Sequence, residues 1–542
     1  MDYLIRSFKF GLRILVKSPA FTLIAVVALA LGIGAVTTMF SVINGAILRG
    51  LPFEEPQELV LIERYDQQRQ PWNTGIPIQD FLEFRKTQQS FEGISAYFGG
   101  TVNVRLDDDP IRFTGSRISH NWLDVLGAQP LIGRGFNEEE DQPGAAPVLL
   151  LSYAAWQTHY SGDPGIIGEN VRINGALGTI IGVMPKDFKF PARDEVWTPL
   201  GPQINWGEIR RGDWAMPVMG RLKDGVSPEQ ADAELTNFVT NYAEQFPDTH
   251  GNYVSGETKP MTEGILGDQP VRMMWIMFAM GFFVLLIACA NVANLLLARS
   301  TLRSKELAIR SSLGATRKSI IGQLLIESVL LSILGAMGGL AIAQWATKAL
   351  MSYADVMQLP GWLSFNMDWK VLGIVTGVTV VAGLVSGIVP AIKASKVSVT
   401  DILKDDTRTG SSLRMGFFSK GLVVVQVAIS SILLILTVLM VRSVQNISET
   451  DLHFDTSAVF TARMGLFDGA YPEDGERYRF FTGLRRNLES QPQIQSASLY
   501  GRYRWTTIGI DWGAVLKDGT KFEQIEDLPI ATSERISPQY VD

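Results

Sequence analysis

Charged and uncharged positions in this chain segregate into long blocks. Five blocks are long and apolar enough to span a hydrocarbon core, which takes roughly 20 helical residues. Phe21 to Leu48 and Met273 to Ala298 carry no charge, and Ser319 to Leu350 is broken only by Glu327 and Lys348. Val371 to Ile392 and Gly421 to Val441 complete the set. The first block follows Arg6, Lys9, Arg13 and Lys17, as a secretory signal would. A signal's apolar core runs only about 7–15 residues, however, and this block is nearly twice that. It reads as a retained span.

Ahead of it, Leu4, Phe8, Leu12 and Leu15 recur at helical spacing, with the four basic residues on the opposite side. That pattern predicts an amphipathic helix lying in the headgroup plane, its basic side towards anionic lipid. Within the spans, Ala28 and Gly32, Gly335 and Gly339, Gly373 and Gly377, and Gly383 and Gly387 fit the small-x-x-x-small spacing of close helix contacts. Pro390 is expected to bend or end the fourth span. Glu327, an intramembrane carboxylate, is a functional candidate by default, or else a boundary residue pairing with Arg317 or Lys318.

Residues 49–272 have a different texture. Short β-like runs recur at Leu59–Ile62, Thr101–Leu106, Val148–Leu151, Val171–Ile173, Thr179–Val183 and Val218–Leu222. Turn signals such as Pro143-Gly144, Asn174-Gly175 and Asp224-Gly225 punctuate them. One helix is predicted from Pro228 to Phe246, with Ser227 as N-cap and Glu229 in the first turn. This is the pattern of a mixed α+β domain.

Composition narrows the function. The chain has 542 residues, 46% hydrophobic and 19% charged, with a net charge of −7. An acidic balance without a basic patch argues against nucleic-acid binding. Cys289 is the only cysteine, so neither an intramolecular disulfide nor a cysteine metal site is expected. His120, His159, His250 and His453 lie far apart and form no ligand spacing. The acidic runs Asp107–Asp109 and Glu138–Asp141 read as solvated turns in preference to a calcium site. Ser152 and Ser161 lack a Gly-x-Ser-x-Gly context. No catalytic residue, bound cofactor or metal is expected.

Lysines and arginines in the short loops set the orientation. Basic residues gather before the first span, between the second and third (Arg299, Arg303, Lys305, Arg310, Arg317, Lys318) and between the fourth and fifth (Lys393, Lys396, Lys404, Arg408, Arg414, Lys420). The link between the third and fourth is nearly free of them until Lys370. The N-terminus and both basic loops are therefore expected in the cytoplasm, with 49–272 and everything after the fifth span outside.

On spacing alone, the loop after the second span is an ordinary basic loop with an i,i+4 pair, Glu306 and Arg310, and a helix stop at Gly314. Its wording is more specific. Asn291-Val-Ala-Asn294-Leu-Leu-Leu-Ala-Arg299, Lys305-Glu-Leu-Ala-Ile-Arg310 and Leu313-Gly-Ala-Thr-Arg317 resemble the core signature of FtsX-like permeases of the MacB type. Ser18-Pro-Ala-Phe21-Thr-Leu-Ile-Ala with Leu29-Ala-Leu-Gly-Ile-Gly34 resembles that family's first span. Gly387-Ile-Val-Pro390-Ala-Ile-Lys-Ala-Ser395 with Asp401-Ile-Leu-Lys404-Asp resembles the end of its fourth.

The resemblance implies a membrane protein with an α-helical transmembrane bundle plus α+β external (periplasmic) domains. The expected division is 1–20 in-plane helix, 21–48 first span, 49–272 external MacB-like core domain and 273–298 second span. It continues with 299–318 coupling loop, 319–350 and 371–392 third and fourth spans, 393–420 cytoplasmic linker, 421–443 fifth span and 444–542 a second external domain. Arg303, Lys305, Glu306, Leu307, Arg310, Leu313 and Gly314 would form the contact with a cytosolic ABC ATPase subunit. Gly32, Gly335, Gly339, Gly383 and Gly387 would pack the helices. Members of the MacB type carry an ATPase domain of their own, and this chain departs from that pattern, with no Gly-x-x-x-x-Gly-Lys-Ser/Thr loop. ATP would be bound by a separate subunit. Membrane lipids, and a periplasmic adaptor or outer-membrane partner, are further implied partners, and the bacterial inner membrane is the implied location.

The family also leaves alternatives open: a regulator whose external domain activates a cell-wall enzyme, or an orphan scaffold. A usual permease of this type has four spans, whereas here a fifth follows, and Ser533-Glu-Arg-Ile-Ser-Pro-Gln-Tyr-Val-Asp542 echoes Gly115-Ser-Arg-Ile-Ser-His-Asn-Trp-Leu-Asp124. Arg479 to Arg485 similarly matches Gln79 to Arg85 in pattern. The reading is a duplicated permease whose second copy is cut short. For the topology, in a Cys289→Ala background, cysteines placed at Asp108 or Asp468 should react with an impermeant thiol reagent in intact cells. Those at Lys305 or Lys404 should react only after permeabilisation. Labelling of Lys305→Cys in intact cells would overturn the orientation.

Overall fold

The computed structural model describes residues 2–66, 73–106, 109–186, 188–203, 215–303, 306, 309–310, 312, 316–356, 359–395, 412–448, 460, 471, 473–498, 511–514 and 530–533. They form two units, each with its own core. The first takes in Met1–Gly50, Leu266–Leu359 and Leu363–Phe460. Its helices are α1 (Asp2–Lys17), α2 (Pro19–Ile43), α3 (Asp268–Leu302), α4 (Arg317–Val356), α5 (Trp369–Ala394) and α6 (Ser412–Ser448). All but α1 are long and apolar enough to cross a membrane, and the chain is a multi-pass membrane protein.

A helix in hydrocarbon must satisfy its polar groups internally. Thr37, Thr38 and Ser41 of α2 do so by donating their hydroxyls to Ile33, Gly34 and Thr37 carbonyls at 2.7, 2.8 and 2.9 Å. Small residues then let the backbones approach. A Cβ at Gly339 of α4 would lie 2.9 Å from the Gly34 amide nitrogen of α2, and one at Gly335 would lie 2.6 Å from the Leu29 Cβ. Gly32 leaves 2.9 Å between such a Cβ and the Leu285 Cα of α3. On α5, Gly383 abuts Val329 and Gly387 abuts Ser328, whose hydroxyl donates to the Gly383 carbonyl at 2.8 Å. Gly373 and Gly377 meet nothing within 4 Å, so that pair makes no helix contact among the described residues. Composition alone cannot separate a lipid-facing glycine from a packing one.

Two other expectations change in detail. α5 runs through Pro390 to Ala394 without ending there. On α1, Phe8 and Leu12 are 48% and 46% exposed, and neighbouring Val16 is 74% exposed. The side that packs inward is instead Gly11 and Leu15. The apolar stripe is thus shared, Leu15 entering the bundle core and Phe8 and Leu12 remaining exposed.

At the opposite end of the bundle, α2 closes in a π-turn, Asn44–Leu48. Asp368 caps α5, accepting from the Val371 amide at 3.0 Å, and also accepts from Asn44 Nδ2 at 2.8 Å. Arg49 donates to Ser364 at 3.1 Å. α6 meets α3 through Gln426 Nε2, which donates to Asn291 Oδ1 at 2.8 Å, and the rest of its apolar surface is largely exposed.

The second unit is built on Leu51–Ile265, with Pro360–Trp362 from the α4–α5 link packed into it. Its strands are β1 (Leu59–Asp66), β2 (Asn73–Thr74), β3 (Ile76–Pro77), β4 (Phe91–Leu106), β5 (Asp109–Ile118), β6 (Ile132–Gly133) and β7 (Val148–Leu151). They continue as β8 (Asn170–Ile173), β9 (Ala176–Val183), β10 (Val196–Pro199), β11 (Ala215–Met216), β12 (Val218–Leu222) and β13 (Tyr253–Pro260). The main sheet runs β13-β1-β12-β4-β5-β10-β7-β9-β6, antiparallel except for β10 on β5 and β7 on β9. β2 adds to β1, β8 lies against β4 and β9, and β3 pairs with β11.

The long strand β4 serves two half-sheets, pairing β12 through Phe91–Ala96 and β5 through Tyr97–Leu106. One half packs Phe81, Phe84 and Phe91 against Leu235 and Val239 of the helix Pro228–Gln245, whose start carries the Ser227–Gln230 capping box. The other gathers Trp122, Phe188, Phe190 and Trp197, with Trp362 at its margin. Gly361 donates its amide to the Ala192 carbonyl at 2.8 Å.

The run Glu138–Asp141 is not simply a solvated turn. Glu140 pairs with Arg134 at 2.6 Å, and Asp141 accepts from the amides of His120 and Gly201 at 3.0 and 2.7 Å, stapling three loops. Asp107 and Asp108 lie outside the described residues. A buried polar group was missed as well. Asp80 accepts from His250 Nε2 at 2.6 Å and pairs with Arg64 at 3.4 Å, and Arg64 lies 3.9 Å over the Tyr253 ring.

After α6, the helix Asp474–Glu489 covers the segment matched to Gln79–Arg85, itself within the helix Ile78–Thr87. A two-stranded ladder joins Asp511–Ala514 to Ile530–Ser533. The Arg535-Ile-Ser block lies outside the described residues.

One carboxylate in the second unit is held against its nature. Burial pushes Asp194 up to about 6, although it accepts from the Ser116 hydroxyl at 3.0 Å. A raised carboxyl contributes stability in full below its unfolded value near 4 and loses it as pH rises through the folded value near 6. Asp194→Asn keeps the acceptor and removes the charge. It should raise stability at pH 8 by on the order of 2–3 kcal/mol and change little at pH 4. Denaturant unfolding at the two pH values checks this; an equal gain at both would refute it.

Candidate functional site

The functional candidates converge at the end of the bundle that carries the 303–316 loop. Ser18 separates α1 from α2, and Pro19 follows at the first helical position, where its missing amide costs nothing. The Ser18 hydroxyl donates to the Ile14 carbonyl at 3.1 Å, and Thr22 donates to the Leu15 carbonyl at 2.8 Å, folding the corner tightly. Arg299, near the end of α3, docks on this corner. Its Nη2 donates to Ser18 Oγ at 2.6 Å and to the Ile14 carbonyl at 3.2 Å, and its guanidinium sits 4.5 Å over Phe21. Such stacking adds about 0.5–1 kcal/mol at exposed sites and more where water is excluded.

One turn further on, five side chains close a ring. Arg303 Nε donates to Glu306 Oε2 at 3.0 Å, and Glu306 Oε1 accepts from Arg310 Nη2 at 2.6 Å. Arg310 Nη1 donates to Gln323 Oε1 at 2.9 Å, and Gln323 Nε2 reaches Glu327 Oε1 at 3.5 Å. Arg303 Nη1 then contacts Glu327 Oε2 at 3.3 Å. Two guanidinium and two carboxylate groups make the ring electrically balanced. The Arg310 guanidinium also lies 4.7 Å over Phe10 of α1. The loop is therefore tied at once to α4 and to α1.

Burial is graded around the ring. Side-chain exposure is 42% at Glu306, 31% at Arg310, 17% at Arg303 and 2% at Glu327. The hydrogen bonds from Arg303 hold the Glu306 carboxyl below the usual carboxylate range. Against the ring, between α3, α4 and α5, lies a cavity of about 20 Å³ lined by Arg299, Ser300, Arg303, Glu327, Gly387 and Pro390. That is room for one water molecule. The described residues contain no cluster able to hold a metal.

Of the expected contact residues, the structure brings Arg303, Glu306 and Arg310 together, and the Glu306–Arg310 pair forms as its spacing predicts. Lys305, Leu307, Leu313 and Gly314 lie outside the described residues. The partner expected for Glu327 is corrected: Arg317 and Lys318 are exposed, and Arg303 makes the contact. The reason is direction, since α4 points Glu327 back beneath the loop while its own first turn faces solvent. Gln323 and Phe10 were not singled out from sequence, and Arg299 only as a basic residue of the loop and the end of the Asn291–Arg299 motif. The four-residue spacing of Gln323 and Glu327 places them on one helix side and was the available signal.

Two family models match the chain: the MacB-like periplasmic core domain over residues 22–238 and the FtsX-like permease C-terminal domain over 278–399. The macrolide export ATP-binding/permease protein MacB of Neisseria meningitidis serogroup A is 24% identical over 313 residues, 57% of this chain and 46% of that protein. The uncharacterized ABC transporter permease YknZ of Bacillus subtilis is 27% identical over 327 residues, 59% of this chain and 77% of that protein. The chain thus spans about half the length of the MacB relatives it matches. Among solved structures, the periplasmic region of MacB from Actinobacillus actinomycetemcomitans aligns with a TM-score of 0.30 at 14% identity, covering 40% of this chain and 92% of that one.

Proposed function

We propose, from the premise that the chain is a MacB/FtsX-type ABC transporter permease, that it carries force from a separate cytosolic ATPase to a domain outside the membrane. The ATPase subunit binds ATP, and this chain contributes no catalytic group. In this reading α1 and the two basic loops lie in the cytoplasm of a bacterium, the membrane is the inner one, and α1 rests on anionic lipid. The ATPase pushes on the 299–318 loop through Arg303, Lys305, Glu306, Leu307, Arg310, Leu313 and Gly314. The bundle then acts as a lever, and the domain 51–265 handles cargo outside.

One observation supports this reading above the rest. The five-membered ring ties a short charged loop to α4 and, through Phe10, to α1, so a push on the loop is a push on the bundle. The bundle interior is a close-packed set of small and aliphatic residues and suits a lever better than a polar channel.

The test uses the ATPase that co-purifies with this chain. Glu306→Lys combined with Leu307→Asp should leave membrane insertion intact and reduce stimulated ATP hydrolysis to the rate of the ATPase alone. Full stimulation by a well-expressed double variant, or failure of any ATPase to co-purify with the native chain, would refute the coupling.

A further inference from the structure

The ring contains one group that a docking partner cannot reach. Glu327 lies deep on α4, with buried Leu330 and Leu331 in the next turn. α1 closes over it at Gly11, where an added Cβ would lie 2.9 Å from Leu330 Cδ1 and 3.6 Å from Glu327 Cγ. A carboxylate placed there is strongly disfavoured as an anion unless a cation and hydrogen bonds accompany it. Among the described residues its hydrogen-bond partners are Arg303 and Gln323. Of these two only Arg303 is charged, and it belongs to the loop side, where it is shared with Glu306. The Arg299 guanidinium of α3 faces the same cavity and acts on Glu327 through space, but it donates its hydrogen bonds to Ser18 and the Ile14 carbonyl.

This geometry leaves two outcomes when the loop is pulled from the bundle. Either α4 follows, or Arg303 leaves the buried Glu327 carboxylate without its hydrogen-bonded cation, with Arg299 acting on it only through space. We propose that Glu327 is a charge latch: the inner end of α4 holds the loop through a buried carboxylate whose directly bonded cation is Arg303, so the two move together and rejoin after separation. Glu306 and Arg310 are the exposed arm of the ring, and Glu327 is its anchor. Removing one partner of a buried pair leaves an uncompensated charge, whereas removing both does not. The latch deepens the coupling reading above, but its first test does not depend on any ATPase.

Three variants of the full chain in detergent micelles provide it: Glu327→Gln, Arg303→Gln and the double variant. In Glu327→Gln, hydrogen exchange of amides in 299–318 should quicken by about tenfold to a hundredfold, because the loop loses an ionic hydrogen bond. Arg303→Gln should lower the thermal midpoint more than the double variant does, despite carrying one substitution fewer. If Arg303→Gln alone fails to fold, recovery of folded protein by adding Glu327→Gln supports the latch equally. Unchanged loop exchange in Glu327→Gln, or a double variant at least as unstable as Arg303→Gln, would overturn it. With the co-purified ATPase, Glu327→Gln should then bind normally and lose stimulation. Full stimulation alongside quickened exchange would overturn the latch's part in coupling while leaving the contact itself established.

Discussion

Helices in a bilayer gain little by hiding apolar surface from one another, because lipid tails are as apolar as leucine. The bundle therefore depends on how closely its backbones approach, and the meeting of Gly34 on α2 with Gly339 on α4 sets that distance. Gly335 against Leu29 and Gly32 against Leu285 extend the same seam to both sides of α2. With α2 held in the middle, α3 and α4 arrive at the loop end close enough for Arg303 to reach Glu327. A looser seam would leave that pair out of reach, and a buried carboxylate without its cation would destabilise the bundle it now anchors.

Much of this architecture is readable in the order of residues, for definite reasons. The five spans are unbroken apolar blocks, and Val148–Leu151 and Val218–Leu222 are strands because continuous apolar runs sit between turn signals. The first part of β4 was hidden. Gly99-Gly100 looks like a break, and the strand persists through it because β5 pairs with it on the far side. The Glu306–Arg310 pair was legible as a local spacing, but the closure onto Gln323 and Glu327 was not. That contact crosses a turn, and its direction is decided by the packing of α4 against α1 and α2. The same holds for Asp80, His250 and Arg64, which are far apart in sequence and meet only after β1, the helix Ile78–Thr87 and the segment Pro247–His250 have assembled.

The two buried ionic groups play contrasting parts. In the sheet domain, Asp80 is held by Arg64 and His250, and all three side chains are nearly inaccessible. It specifies one arrangement of the core. At the loop end, burial declines in steps from Glu327 to Glu306, so a single network passes from the bundle interior to a surface that another protein can touch.

The link between α4 and α5 is held at several points along its length. Pro360–Trp362 pack with the sheet domain, whereas Ser364 and Asp368, a few residues later, are held by Arg49 and Asn44 at the end of α2. Within the bundle, the Asp368 carboxylate acts as a shared pin: it accepts from the Val371 amide in the first turn of α5 and from Asn44 where α2 ends, so neither helix end can be altered without loosening the other.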